Sequence, residues 1–157
     1  MILKMHLALG ALVTFIFIAS TSAQNTQPAT RLDPSSIASI KPIAPGAGTS
    51  GVSGILTRVL KGDPSTTGLY AIELTVPANT RIEAHSHPDD RVATVVSGTW
   101  YIGYGNTFDI KELKALPPGS FYTEPPSKMH FARTGSSAVV LLITGIGPTG
   151  TEYFEKK

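Results

Sequence analysis

The sequence contains no cysteine. Disulfides, thiolate metal ligands, thiol nucleophiles and cysteine-linked lipids are therefore excluded in any compartment. Charge is also scarce. Only 15% of residues are Asp, Glu, Lys or Arg, the formal net charge is +2, and no basic run exceeds Lys156-Lys157. That balance excludes an electrostatic footprint for nucleic acid or for an anionic membrane. No glycine-rich phosphate loop precedes a helix, and Gly103-x-Gly105 lies among β-formers. The Ser and Lys residues show no nucleophile arrangement. The longest apolar run, Leu7 to Ala19, has thirteen residues, short of the roughly 20 that a transmembrane helix needs.

That run is the right length for the apolar part of a secretory signal peptide. Lys4 supplies the positive start, and Ser20-Thr21-Ser22-Ala23 supplies small residues before a cut ahead of Gln24. Residues 1–23 are read as a signal peptide, and the expected location is secreted or periplasmic, with no membrane attachment after cleavage. Loss of Lys4 leaves a formal charge of +1.

Residues 24–50 read as a flexible lead-in and an N-terminal arm. The first part is polar and carries Pro28 and Pro34. Ile37, Ile40 and Ile43 are spaced by three, but Pro42 and Pro45 interrupt a helix, so an extended arm is expected. Residues 51–157 read as one all-β domain. Strands are expected at Ile55–Leu60, Leu69–Val76, Arg81–His87, Val92–Val96, Thr99–Tyr104, Phe121–Thr123, Met129–Arg133, Ala138–Thr144 and Thr151–Phe154. Ser97-Gly98 reads as a hairpin turn. Ala138 to Thr144 reads as a buried strand. Phe108 to Leu116 reads as a helical turn or as strand and loop.

Histidine is the scarcest residue with chemistry attached. There are four, and His6 lies in the leader. The others are His85, His87 and His130. Two histidines at i and i+2 on a strand share a face, about 7 Å apart along the backbone. Neutral imidazole is the commonest metal-bound side chain. A third imidazole from another strand completes a site with an open position for water or substrate.

Residues 79–134 resemble the cupin family, whose first motif runs G-x5-H-x-H-x3-4-E-x6-G. His85-x-His87, a gap of three, position 91 and Gly98 reproduce its spacing. The second motif runs G-x5-P-x-G-x2-H-x3-N, matched by Gly119, Pro125 and His130, with Ser127 in place of the internal Gly. Asn79 stands at the leading Gly of the first motif and Thr134 at the closing Asn of the second. The resemblance implies a cupin-type jelly-roll β-barrel, a homodimer, and a divalent transition metal (Zn, Fe, Mn, Ni or Cu) on His85, His87 and His130.

Arg91 departs from the pattern, because the family has a metal-ligating Glu there. A guanidinium stays protonated and cannot ligate. Asp89 or Asp90 could serve as the replacement carboxylate, an anionic ligand could sit between metal and Arg91, or Arg91 could face outward. Arg91, Tyr101 and Tyr122 are the candidate substrate-binding residues. No residue is assigned as catalytic; Glu83, Asp89, Asp90, Tyr101 and Tyr122 are the candidates to move a proton. The expected function is metal-dependent action on, or binding of, a small molecule, carboxylate-bearing where Arg91 pairs with it, of oxygenase, isomerase or decarboxylase type. The alternative is a non-catalytic cupin that has lost the metal.

Overall fold

The computed structural model describes residues 28–43, 46 and 48–154. The signal-peptide reading of residues 1–23 lies outside them. Among the described residues no helix is long and apolar enough to cross a membrane.

The chain forms a short helix and ten strands: α1 (Pro34–Ser39), β1 (Leu56–Lys61), β2 (Gly68–Val76), β3 (Arg81–Ser86), β4 (Arg91–Ser97), β5 (Trp100–Tyr104), β6 (Lys114–Leu116), β7 (Phe121–Glu124), β8 (His130–Thr134), β9 (Val139–Gly147) and β10 (Glu152–Tyr153). They build two five-stranded sheets. The front sheet has the order β1-β2-β9-β4-β7 and the back sheet β10-β3-β8-β5-β6. Every pairing is antiparallel. The architecture is an all-β jelly roll.

The core lies between the sheets. β2 alternates, burying Tyr70, Ile72, Leu74 and Val76, and it pairs along its length with β9, which buries Val139, Leu141 and Ile143. This period of two is what a sheet with one solvated face requires. Trp100, Ile102 and Ala132 meet them from the back sheet.

Three expectations need correction. Ala138 to Thr144 is apolar throughout, but β9 is buried on one face only, and Leu142 is 38% exposed. Apolar composition alone does not fix the phase of a strand. Ser97-Gly98 does not close a hairpin, because β4 belongs to the front sheet and β5 to the back. Gly98 is instead a corner, at φ 75°, where a Cβ would lie 2.4 Å from the Ala138 carbonyl oxygen. Finally, Ile37 lies in a helix and not in an extended arm. Asp33 caps it by accepting from the Ser36 amide at 2.7 Å, and Pro34 occupies the first turn. Pro42 lies beyond the helix end. Ile43 alone keeps an extended pairing, with Thr57.

Phe108 to Leu116 divides into a 3₁₀ turn (Ile110–Glu112) and β6.

The four glycine positions of the two family motifs share one backbone property. Gly98 and Gly119 have φ of 75° and 84°, and Asn79 and Ser127, which replace glycine, have φ of 55° and 58°. The turns are kept although the residues changed. Asn accepts this left-handed region more readily than Ser does.

Candidate metal centre

The centre forms where β3 and β8 pair. Register runs Ile82↔Ala132 and then His85↔His130, so β3 spends three residues where β8 spends two. This bulge resets the alternation. Ile82 and Ala84 are buried, and strict alternation would turn residue 85 away from them. The extra residue instead turns His85 inward, opposite His130. His87 follows just beyond the end of β3.

A ligand nitrogen from each of the three histidines lies within 4.8 Å of the other two. All three residues are at most 3% exposed. The other ring nitrogens are tied down in one consistent way. Nδ1 of His85 donates to the Glu83 carbonyl at 2.7 Å, Nδ1 of His87 to the Gly150 carbonyl at 2.5 Å, and Nδ1 of His130 to the Lys128 carbonyl at 2.9 Å. A carbonyl only accepts, so each Nδ1 carries the hydrogen and each Nε2 presents a lone pair. Backbone carbonyls that orient a ligating imidazole are the usual outer support of a metal site. Burial depresses the His85 pKa to about 4, and burial followed by the charge of Arg91 depresses that of His87 to about 3. Near neutral pH both rings are neutral, as ligation requires.

The fourth group is Glu124, which the sequence reading did not single out. Its Oε2 lies 3.6 Å from His87 Nε2 and its Oε1 lies 3.6 Å from His130 Nε2. Glu124 sits directly opposite Arg91 in the β4–β7 pairing. Arg91 Nε donates to Glu124 Oε2 at 2.5 Å, Nη2 contacts His87 Nε2, and Nη1 donates to Thr149 Oγ1 at 3.4 Å. Burial alone would raise the Glu124 pKa. The adjacent Arg91 charge reverses this and holds it at about 2. A dication about 6 Å from a guanidinium is repelled by roughly 5 kcal/mol at an effective dielectric near 20. A carboxylate at similar range attracts it by about as much. Glu124 therefore cancels the cost of Arg91.

The donor set fits a divalent transition metal. His130 Nε2 is buried with no hydrogen-bond partner, and His85 Nε2 has only Ser50 Oγ at 3.2 Å. At His87 the metal would have to take the place of the Arg91 Nη2 contact.

The other candidate residues are distributed as follows. Asp89 is buried but accepts from Tyr70 Oη and from Thr149 Oγ1, both at 2.6 Å. Asp90 is exposed. Neither is the carboxylate beside the histidines; Glu124 is. Arg91 faces inward, and it spends its donors on protein groups. Tyr101 carries the Arg133 guanidinium over its ring at 4.4 Å and does not line the interior void. Tyr122 does line it, and its hydroxyl is buried without a partner. Glu83 is exposed and paired with Arg81 at 2.5 Å. Glu124 shares a strand face with Tyr122, but the strand was expected to stop at Thr123, short of Pro125-Pro126, and the pairing of Glu124 with Arg91 depends on register.

No protein-family model matches this sequence, and no curated protein matches it. Solved structures do. The polyketide cyclase RemF from Streptomyces resistomycificus superposes with a TM-score of 0.61 at 16% identity, over 83% of this chain and 88% of the other. An RmlC-like cupin from Shewanella frigidimarina gives 0.53 at 18% identity, over 69% and 85%. The DMSP lyase DddQ from Ruegeria pomeroyi gives 0.54 at 19% identity, over 66% and 54%. The chain spans about half the length of that lyase, and 53% of a second DMSP lyase chain. At these identities the likeness is one of fold. By its two sheets, its strand pairing and these structural neighbours, the chain has the cupin fold.

Proposed function

We propose that this protein is an exported, metal-dependent cupin acting on a small oxygen-bearing molecule. One observation carries the reading: three buried imidazoles are each fixed through Nδ1 to a backbone carbonyl, which turns three Nε2 lone pairs toward one point. His85, His87 and His130 would hold the ion, with Glu124 as the adjacent carboxylate. A bound divalent ion supplies Lewis acidity toward a substrate oxygen.

The chain's own residues set the remaining terms. Glu124 stays ionised at neutral pH and is poorly matched to carry protons there. Burial raises the Tyr122 pKa well above its ordinary value, so the hydroxyl stays protonated and can donate to a substrate oxygen. Of the five proton-carrier candidates, Tyr122 is the one that lines the void. Arg91 offsets the Glu124 charge and orients its carboxylate.

The polyketide cyclase and DMSP lyases among the structural neighbours support an enzyme, without fixing the reaction. A non-catalytic binding protein remains the second reading, favoured by the Arg91 contact at His87 Nε2. A homodimer through the outer face of the front sheet suits its exposed Val92, Val96 and Leu142. Light scattering at micromolar concentration tests that assembly, and a monomer mass rejects it.

The deciding experiment is elemental analysis of untagged protein beside His130→Ala. Near-stoichiometric metal in the parent and its loss in the variant support the centre. No metal after loading with Zn, Fe, Mn, Ni and Cu ends the metalloenzyme reading.

A further inference from the structure

The void at His85 and His130 is small. The space open to the centre of a water molecule is about 20 Å³, enough for one water and no organic substrate. Yet two buried donors on its wall lack partners: the Trp100 indole Nε1 and the Tyr122 hydroxyl. An indole N–H can only donate. Buried groups left this way call for an acceptor from outside the chain.

A second cavity lies next to it. It measures about 500 Å³ and opens to solvent. Its walls come from β5 and β6 of the back sheet, Glu112 of the 3₁₀ turn between them, and β7 of the front sheet. β6 and β7 are the edge strands on the same side of their sheets, so the cavity occupies the seam where the jelly roll does not close. Ile102, Tyr104, Leu116 and Phe121 make it largely apolar. The Tyr104 hydroxyl crosses the seam and donates to the Thr123 carbonyl at 2.7 Å. One residue belongs to both linings, and it is Tyr122.

We propose that the β5–β6–β7 seam binds the apolar or aromatic body of the substrate, and that Tyr122 is the partition past which its oxygen-bearing end meets the histidines. The inference rests on the metal reading for the oxygen-bearing end and on the seam alone for the body. The sizes support this division, since the inner void admits only a head group while the seam is within the range of small-molecule pockets. The charges support an anionic head. Arg91 and Glu124 cancel, and a divalent ion would leave the interior positive. The ligand class is therefore a carboxylate or similar oxyanion on a largely apolar frame.

Two probes share a head and differ in body: acetate and 2-naphthoate. Each is titrated into full-length cobalt-loaded protein, with the visible cobalt band reporting arrival at the metal. The expected half-saturation for 2-naphthoate is about tenfold lower than for acetate, as burial of a modest apolar area predicts. Phe121→Ser, at an exposed seam position, is expected to erase that advantage and leave acetate unchanged. Equal half-saturation in the parent, or an advantage undiminished in Phe121→Ser, overturns the proposal. Calorimetry of 2-naphthoate with metal-free protein separates the two readings. Heat that is lost in Phe121→Ser, without any cobalt band, retains the seam and rejects the metal. A cobalt band that 2-naphthoate perturbs no better than acetate, with no heat, retains the metal and rejects the seam.

Discussion

Arg91 and Glu124 face each other across two antiparallel strands, and their side chains meet at 2.5 Å inside the jelly roll. Both are at most 4% exposed. A carboxylate stands across the strand pair from position 91, and position 91 itself carries a cation where the motif has Glu.

Breaking this pair leaves a buried charge without its partner. Arg91→Gln or Glu124→Gln is expected to cost about 3–5 kcal/mol, measured by urea denaturation of metal-free protein. The exchanged pair, Arg91→Glu with Glu124→Arg, is expected to recover most of that loss and to retain metal. A double variant no more stable than either single would show that the two residues are not energetically coupled.

Asp89 and His130 are expected to separate stability from metal content. Asp89→Asn weakens two buried hydrogen bonds, to Tyr70 and Thr149, at about 1–3 kcal/mol, while metal content stays near that of the parent. His130→Ala is expected to lose the metal. Elemental analysis and thermal melting on the same samples check both. Metal loss in Asp89→Asn would make Asp89 part of the centre after all.

The bulge in β3 can be removed by deleting Ala84. On the folded fraction, zinc content is expected to fall at least tenfold, because His85 would turn away from His130. Deletion of Asn106, an exposed residue outside the strands, serves as the control. Full zinc content in the Ala84 deletion would show that the phase of β3 does not position His85.

Ser127 and Asn79 hold φ values that glycine adopts without strain. Ser127→Gly is expected to stabilise by about 0.5–1 kcal/mol and Asn79→Gly by less. Melting curves decide. A lower melting temperature for Ser127→Gly would mean that its side chain compensates for the backbone.

The fold was legible because its signals are local. Short β-rich segments end at Gly and Pro, and two motifs keep their internal spacing although Asn79 and Ser127 replace glycine. The three histidines were legible for the same reason. Glu124 was not, because its meaning depends on register: it matters as the residue opposite Arg91, and no spacing along the chain encodes that pairing. Asp89 misled by proximity. It is two residues from His87 and from Arg91, yet Tyr70, on another strand, claims it. The β4–β5 corner failed likewise, since two consecutive strands look the same in sequence whether they pair or part.

The carbonyl of Gly150 holds His87, and Tyr153 pairs with His85 while donating to the Ser50 carbonyl at 2.5 Å. Residues beyond β9 therefore finish a site whose histidines all precede it. A chain cut after β9 would carry all three imidazoles but lack the support for one and the cover for another. An ion would then be held only by a chain in which β10 has already docked.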